Sequence, residues 1–293
     1  MKRRIIFIFS LFLVVTCSIY AEHMAAAGSF FPWQKTEKVF FRIGYLPLDG
    51  SKTFLQRIGS GELAKRNLVL EMVPFVSARE MERSLLEERI DGQIGDLLEL
   101  AKLNEKGFKV RAVASYEADD SRIALLASPA SDICDVSGIR NIPVAVDHDT
   151  LGEYVLDQMR LRYSIPKNEL KEVLIRPLCF RLELLIDGKV KAAVLPEPFA
   201  SQALKRGALL LAETNKEQTF SQDVLIFREN SLNKKGEGVK RLLSLYDLSL
   251  PSREEMNRLL LWLKEQGMIE QKTVYEDLVK EDYLKKKKLF KIF

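Results

Sequence analysis

From Phe40 onward, short apolar runs alternate with segments whose apolar residues recur at helical spacing. The runs are Phe40 to Leu46, Leu68 to Phe75, Val110 to Tyr116, Ile123 to Ser128, Pro143 to Asp147, Val173 to Leu178, Lys191 to Leu195, Ala208 to Ala212 and Asp223 to Phe227. Strand and helix in alternation predict an α/β fold whose open, mostly parallel sheets are covered by helices on both faces. Such sheets bind ligands at the carboxyl ends of their strands, so function is expected in the strand-to-helix loops. With 293 residues the chain has length for about two domains at roughly 100 to 200 residues each.

An internal echo points the same way. Leu85-Leu86-Glu87-Glu88-Arg89-Ile90-Asp91-Gly92-Gln93-Ile94 and Leu184-Leu185-Ile186-Asp187-Gly188-Lys189-Val190 each read as a helix end, an Asp-Gly turn and a strand. Each is followed by a further helix closing on Lys106-Gly107 or Arg206-Gly207, where glycine supplies a left-handed cap. The spacing is far too long for a solenoid, so the echo reads as one topological unit used in each of two similar lobes. The last third is expected to be helical over Gly238 to Leu245, Ser252 to Gln266 and Thr273 to Tyr283, with Ser252 as an N-cap and Gly267 as a stop. Lys285 to Lys288 read as a solvated tail.

Composition excludes several classes. At 47% hydrophobic and 29% charged the chain is a packed globular protein. Its 45 Lys and Arg against 41 Asp and Glu give a net charge of +4, too mild and too evenly spread to name nucleic acid as a partner. The 3 cysteines, Cys17, Cys134 and Cys179, lack metal-ligand spacing, and His23 and His148 are the only histidines. Neither a metal site nor a His-dependent triad is expected, and no cofactor is called for.

The amino terminus has the layout of a secretory signal: Lys2-Arg3-Arg4, an apolar run from Ile5 to Thr16, then small and polar residues. The run is shorter than the roughly 20 residues that span a membrane. Residues 1–21 are therefore read as a signal peptide, and the mature chain as periplasmic. Cleavage after Ala21 is one reading; the other makes Val14-Val15-Thr16-Cys17 a lipoprotein signal, with Cys17 lipidated and the membrane touched only through that anchor. Export would allow a disulfide between Cys134 and Cys179, although two buried free thiols are the simpler expectation.

Six phrases, taken in order, resemble one family: Ile43-Gly44-Tyr45-Leu46-Pro47, Gly61-Glu62-Leu63-Ala64-Lys65, the Asp91-Gly92 turn, Leu195-Pro196-Glu197-Pro198-Phe199-Ala200, Leu263-Lys264-Glu265-Gln266-Gly267 and Tyr275-Glu276-Asp277-Leu278-Val279. The family is that of the solute-binding proteins of ABC importers for nitrate, sulfonates, taurine and thiamine-precursor pyrimidines. The resemblance runs from about Phe40 to Leu284 and is most specific at Pro196-Glu197-Pro198-Phe199 and Tyr275 to Val279. It implies a two-lobed type II periplasmic binding fold, a monomer that closes its lobes over a small molecule and hands it to an ABC permease with its ATPase, without enzymatic activity. The two crossings between lobes are expected near Ala127 and Asp223. Lobe one would then combine residues 38–126 with 224–293, and lobe two would be 127–223.

The loops at strand carboxyl ends are rich in acids: Asp49 after Tyr45, Asp96, Glu117 to Asp120 after Tyr116, Asp147-His148-Asp149-Thr150, Glu197-Pro198-Phe199, and Asp223. An anion would need helix N-termini, hydroxyls or Arg there, because an uncompensated buried charge costs several kcal/mol. The loops therefore favour a neutral or cationic ligand, with Tyr45, Tyr116 and Phe199 able to stack on a flat ring. The residues expected to touch ligand are Tyr45, Asp49, Asp96, Tyr116, Asp147, His148, Thr150, Glu197, Phe199 and Asp223, although Asp96, Asp149 and Glu197 all stand where helices begin, so N-capping or dipole pairing would account for them without a ligand. Anion-binding members of the family usually carry Gly and Ser or Thr where this chain has Asp147-His148-Asp149, so their specificity does not carry over. The competing readings are a binder of nitrate, sulfonate or taurine, a ligand-sensing surface lipoprotein, and a pyrimidine-synthesis-like enzyme on the same fold. The enzyme branch uses a Cys-rich segment where this chain has only Leu178-Cys179-Phe180.

Overall fold

The structure is a computed structural model, and it describes residues 37–47, 55, 59–116, 122–214, 223–270 and 272–284. The signal segment with Cys17, and Asp49, lie outside the described residues. The strands are β1 (Val39–Tyr45), β2 (Leu68–Pro74), β3 (Gly92–Gly95), β4 (Val110–Tyr116), β5 (Ile123–Ala127), β6 (Pro143–Val146), β7 (Lys171–Leu174), β8 (Ala192–Pro196), β9 (Leu209–Glu213) and β10 (Asp223–Arg228). They form two five-stranded sheets, ordered β2-β1-β3-β10-β4 and β7-β6-β8-β5-β9. Within each sheet one strand, β10 or β5, runs against the others. The helices are α1 (Ser60–Lys65), α2 (Ala78–Leu86), α3 (Leu97–Glu105), α4 (Leu151–Arg162), α5 (Leu178–Ile186), α6 (Phe199–Lys205), α7 (Glu229–Leu243), α8 (Arg253–Glu265) and α9 (Tyr275–Leu278). This is the α/β architecture of mostly parallel sheets flanked by helices that the alternation predicts. Among the described residues no helix is long and apolar enough to cross a membrane.

The two sheets share one topology, strand for strand. The helix-to-strand turns repeat at positions whose numbers differ by 100: Glu87 N donates to Arg83 O and Arg89 N to Ser84 O, as Asp187 N does to Glu183 O and Lys189 N to Leu184 O. Gly107 and Gly207 both take positive φ, 87° and 91°. The Asp-Gly dipeptides are not equivalent, however. Gly188 is the left-handed residue of its turn, at φ 70°, whereas Glu88 fills that place in the first unit at φ 58°. Asp91 instead stands just before β3, buried, with its carboxylate 2.7 and 2.8 Å from Lys235 Nζ, 3.1 Å from Ser231 Oγ and 3.0 Å from Arg42 N. At Gly188 a Cβ would lie 2.9 Å from the Cβ of Ala130. Gly188→Ala should therefore lower stability by about 1–2 kcal/mol in urea unfolding, combining left-handed strain with a contact that the loop must give way to.

Three boundaries differ from the periodicity. β3 escapes a search for apolar runs because Gly92-Gln93-Ile94-Gly95 is short and half glycine. β7 begins ahead of Val173, since pairing of Lys171 to Leu174 with Pro143 to Val146 sets its register and Pro177 caps the next helix. The helix expected over Thr273 to Tyr283 stops at Leu278, because Val279 bridges to Ala112 of β4 and Lys280 N donates to Ala112 O. Gly238 lies inside α7, where a Cβ would come within 2.8 Å of Val39 Cγ1; the missing side chain lets the helix lie against β1. Ser252 caps α8 as expected, accepting from Glu255 N. Cys134 and Cys179 are free and exposed, which corrects the expectation of buried thiols: Cys179 is on the first turn of α5, with its side chain toward solvent.

Both passages between the sheets leave from carboxyl ends. β5 belongs to the second sheet and β10 to the first, so the chain passes from one sheet to the other between β4 and β5 and returns between β9 and β10. Asp223 pairs with Tyr116 at the end of β4, Ile123 with Pro196 at the end of β8, and Ala124 with Glu213 at the end of β9. Two short connections that join carboxyl edge to carboxyl edge set those edges close together. A continuous apolar cluster reaches from Leu97 and Leu98 of α3 to Leu151 and Val155 of α4. Tyr154 of α4 and Trp262 of α8 meet edge to face with ring centroids 5.3 Å apart.

Candidate functional site

The facing carboxyl edges carry the acids. In the first sheet β3 ends at Gly95 and Asp96 caps α3, its carboxylate accepting from Glu99 N at 2.7 Å. Glu99 folds back over the strand end, within 2.8 Å of Gln93 Nε2. A Cβ at position 95 would lie 2.2 Å from a Glu99 carboxylate oxygen, so any other residue there would push the carboxylate aside. Burial pushes the Glu99 carboxyl up to about 8, and the neighbouring Asp96 charge adds to the effect. Asp96 is itself raised by burial, against the opposing pull of two backbone N–H bonds. Gln93 is fully buried, and its Oε1 has no hydrogen-bond partner. Near neutral pH Glu99 therefore still holds its proton and can either donate or accept a hydrogen bond.

Tyr45 ends β1 and Tyr116 ends β4; both are half-buried and pack against the cluster of Phe41, Ile43, Val113 and Phe227. Asp223 pairs its backbone with Tyr116. On the second sheet, Asp147 follows β6 and has Arg176 at 3.7 Å. Thr150 caps α4, accepting from Glu153 N while its hydroxyl donates to Asp147 O at 2.7 Å. His148 Nε2 lies 3.5 Å from Glu172. Phe199 opens α6 and is half-buried against Leu126 and Ala145. Glu197 is held by Arg122 through two bonds of 2.8 and 2.5 Å, and by Ser201 through Oγ and backbone N. Arg122 also binds Glu213 at 2.9 Å. Glu197 therefore ties the start of β5 to the end of β8 before it does anything else.

The structure thus brings Tyr45, Asp96 and Tyr116 to one edge and Asp147, His148, Thr150, Glu197 and Phe199 to the other. Lys102 of α3 reaches across, its Nζ 3.1 Å from Asp149 O. Gln93, Glu99 and Arg122 belong to these edges but were not among the expected residues. The spacing of Asp96 and Glu99 was a usable signal, because an acid three residues past a cap commonly folds back on it.

No family model matches the chain, and no curated protein matches it. Solved structures do. The periplasmic aliphatic sulphonate-binding protein of Escherichia coli superposes with a TM-score of 0.68 at 14% identity, over 85% of this chain and 95% of that one. The ligand-binding component of an ABC-type import system from Staphylococcus aureus, solved with zinc bound, gives 0.63 at 16% over 83% and 97%. The substrate-binding protein of a methionine transporter from Streptococcus pneumoniae gives 0.55 at 15% over 78% and 94%. All three are ligand- or substrate-binding proteins. Two sheets of matching order, joined twice at their carboxyl edges and superposable on these proteins, give the chain the periplasmic binding protein fold.

Proposed function

We propose that this chain is the extracytoplasmic solute-binding component of an ABC importer, taking up a small, polar, ring-containing solute that is neutral or cationic, of the thiamine-precursor kind. Residues 39–116 with 223–284 would form one lobe and 122–214 the other, closing on the solute through the two passages. The observation that carries the ligand class is the acidic character of the edges: Asp96, Asp147 and a Glu99 that still holds its proton near neutrality gather there, while Arg122, Lys102 and Arg176 already stand by Glu197, Glu213, a backbone carbonyl and Asp147. A ligand with N–H donors would satisfy these acids, whereas an anion would have to compete with them for the cations present. Tyr45 and Tyr116 stand half-buried at the same edge, where an aromatic ring could pack against a flat solute. The signal layout supports a place outside the cytoplasmic membrane, in the periplasm or anchored through a lipid on Cys17, next to a permease and its ATPase.

Thermal melts of the purified chain with thiamine precursors, flavins, nucleobases, taurine and nitrate test this reading. At 100 times its Kd a true ligand adds about 2.7 kcal/mol, a shift of several degrees. A heterocycle should give that shift, and Asp96→Asn, which keeps shape and cap, or Asp147→Asn, which keeps shape, should each weaken its binding about tenfold or more. Stabilisation by taurine or nitrate alone would move the assignment to the anion binders.

A further inference from the structure

We infer that His148, Glu153 and Glu172 form a binding site for one divalent transition-metal ion of the zinc class, a site that goes beyond the solute reading and shares His148 with the edge proposed for the solute. The three residues come from separate pieces of the second sheet. His148 lies in the loop after β6, Glu153 on the first turn of α4, and Glu172 on β7, the parallel neighbour of β6. One ligand atom from each, an imidazole nitrogen and two carboxylate oxygens, lies within 4.8 Å of the others. His148 Nε2 and a Glu172 oxygen are already 3.5 Å apart. Ligands about 2.1 Å from a tetrahedral metal stand roughly 3.4 Å from one another, so small side-chain rotations close the set.

The local structure supports the arrangement before any ion enters. Glu153 Oε2 accepts from Asp149 N at 2.6 Å, which pins its head against the loop carrying His148 and leaves the second oxygen for another partner. Asp147 and Asp149 deepen the negative potential around Glu153. The cation at this loop, Arg176, stands by Asp147 at 3.7 Å. One nitrogen and two carboxylates suit zinc-class ions better than calcium or magnesium, which prefer all-oxygen sets. Three protein ligands leave a coordination position open.

The spacing of these residues in the sequence carries no metal signature, because Glu172 reaches the other two only through the pairing of β7 with β6. The test uses the full chain with Cys17, Cys134 and Cys179 all replaced by Ser, which removes competing thiols. After chelator treatment it is dialysed against zinc, counted by elemental analysis and titrated calorimetrically. One equivalent is expected, with affinity reduced at least tenfold by His148→Ala and by Glu172→Gln and unaffected by a large excess of magnesium or calcium. Both substitutions are at exposed positions, so metal-free melts should match the parent. Substoichiometric zinc in the parent, or unchanged affinity in both variants, overturns the site. The solute reading is tested separately, by the thermal melts run on the zinc-free chain.

Discussion

Glu99→Gln should make the protein more stable at alkaline pH while leaving it almost unchanged at pH 4. Glu99 is held at about 8 in the folded chain, against 4.5 for a free glutamate, first by burial and then by the charge of Asp96. Between those values the unfolded chain has released a proton that the folded chain still holds, so stability falls as pH rises. The penalty is absent below about 4.5, grows through neutrality and is complete above about 8. Glutamine keeps an oxygen for Gln93 Nε2, now 2.8 Å from Glu99, and has no proton to lose. After allowance for local relaxation the difference should reach roughly 2–4 kcal/mol at pH 9. Urea unfolding of both proteins at pH 4, 7 and 9 measures it. Parallel stability curves would mean that water reaches the carboxyl and that burial does not control it.

Asp91→Ala should be among the most damaging single changes outside the apolar core. The carboxylate joins three elements: it accepts from Arg42 N on β1, from Ser231 Oγ on α7 and from Lys235 Nζ on α7, and it directly precedes β3. Alanine leaves a backbone N–H and a partly buried ammonium without their acceptor. Lys235 keeps the Phe40 carbonyl, 2.8 Å away, and the face of the Phe41 ring, but no charged partner among the described residues. Orphaning such groups costs about 3 kcal/mol, which in a chain of this size lowers Tm by roughly 6–12 °C. Asp187→Ala is the matched control: its carboxylate is exposed, and the change should stay within about 0.5 kcal/mol. Equal losses in the two variants would show that the Asp-Gly echo, rather than the buried ion pair, carries the stability.

Much of the fold was legible because strand and helix periodicity is a local property. Nearly every apolar run became a strand, and alternation with helices fixed the parallel majority and hence the edge at which ligand loops gather. What escaped had no local signature. β3 is too short and glycine-rich to register, and the equivalence of Glu88 with Gly188 is visible only in backbone dihedrals. The acidic loops were found, but not which acids remain available to a ligand. Glu197 looks as free as Asp147 until Arg122, 75 positions away, is seen to hold it.

By itself the sequence determined the α/β class, the twice-used unit and the negative character of the loops, since each depends on neighbours within a turn or a strand. The tertiary structure decided how the charges pair, that Glu99 is buried beside Asp96, and that His148, Glu153 and Glu172 share one spot. The reason is that electrostatic partners are chosen by distance in space, and sheet pairing brings together residues that chain order keeps far apart.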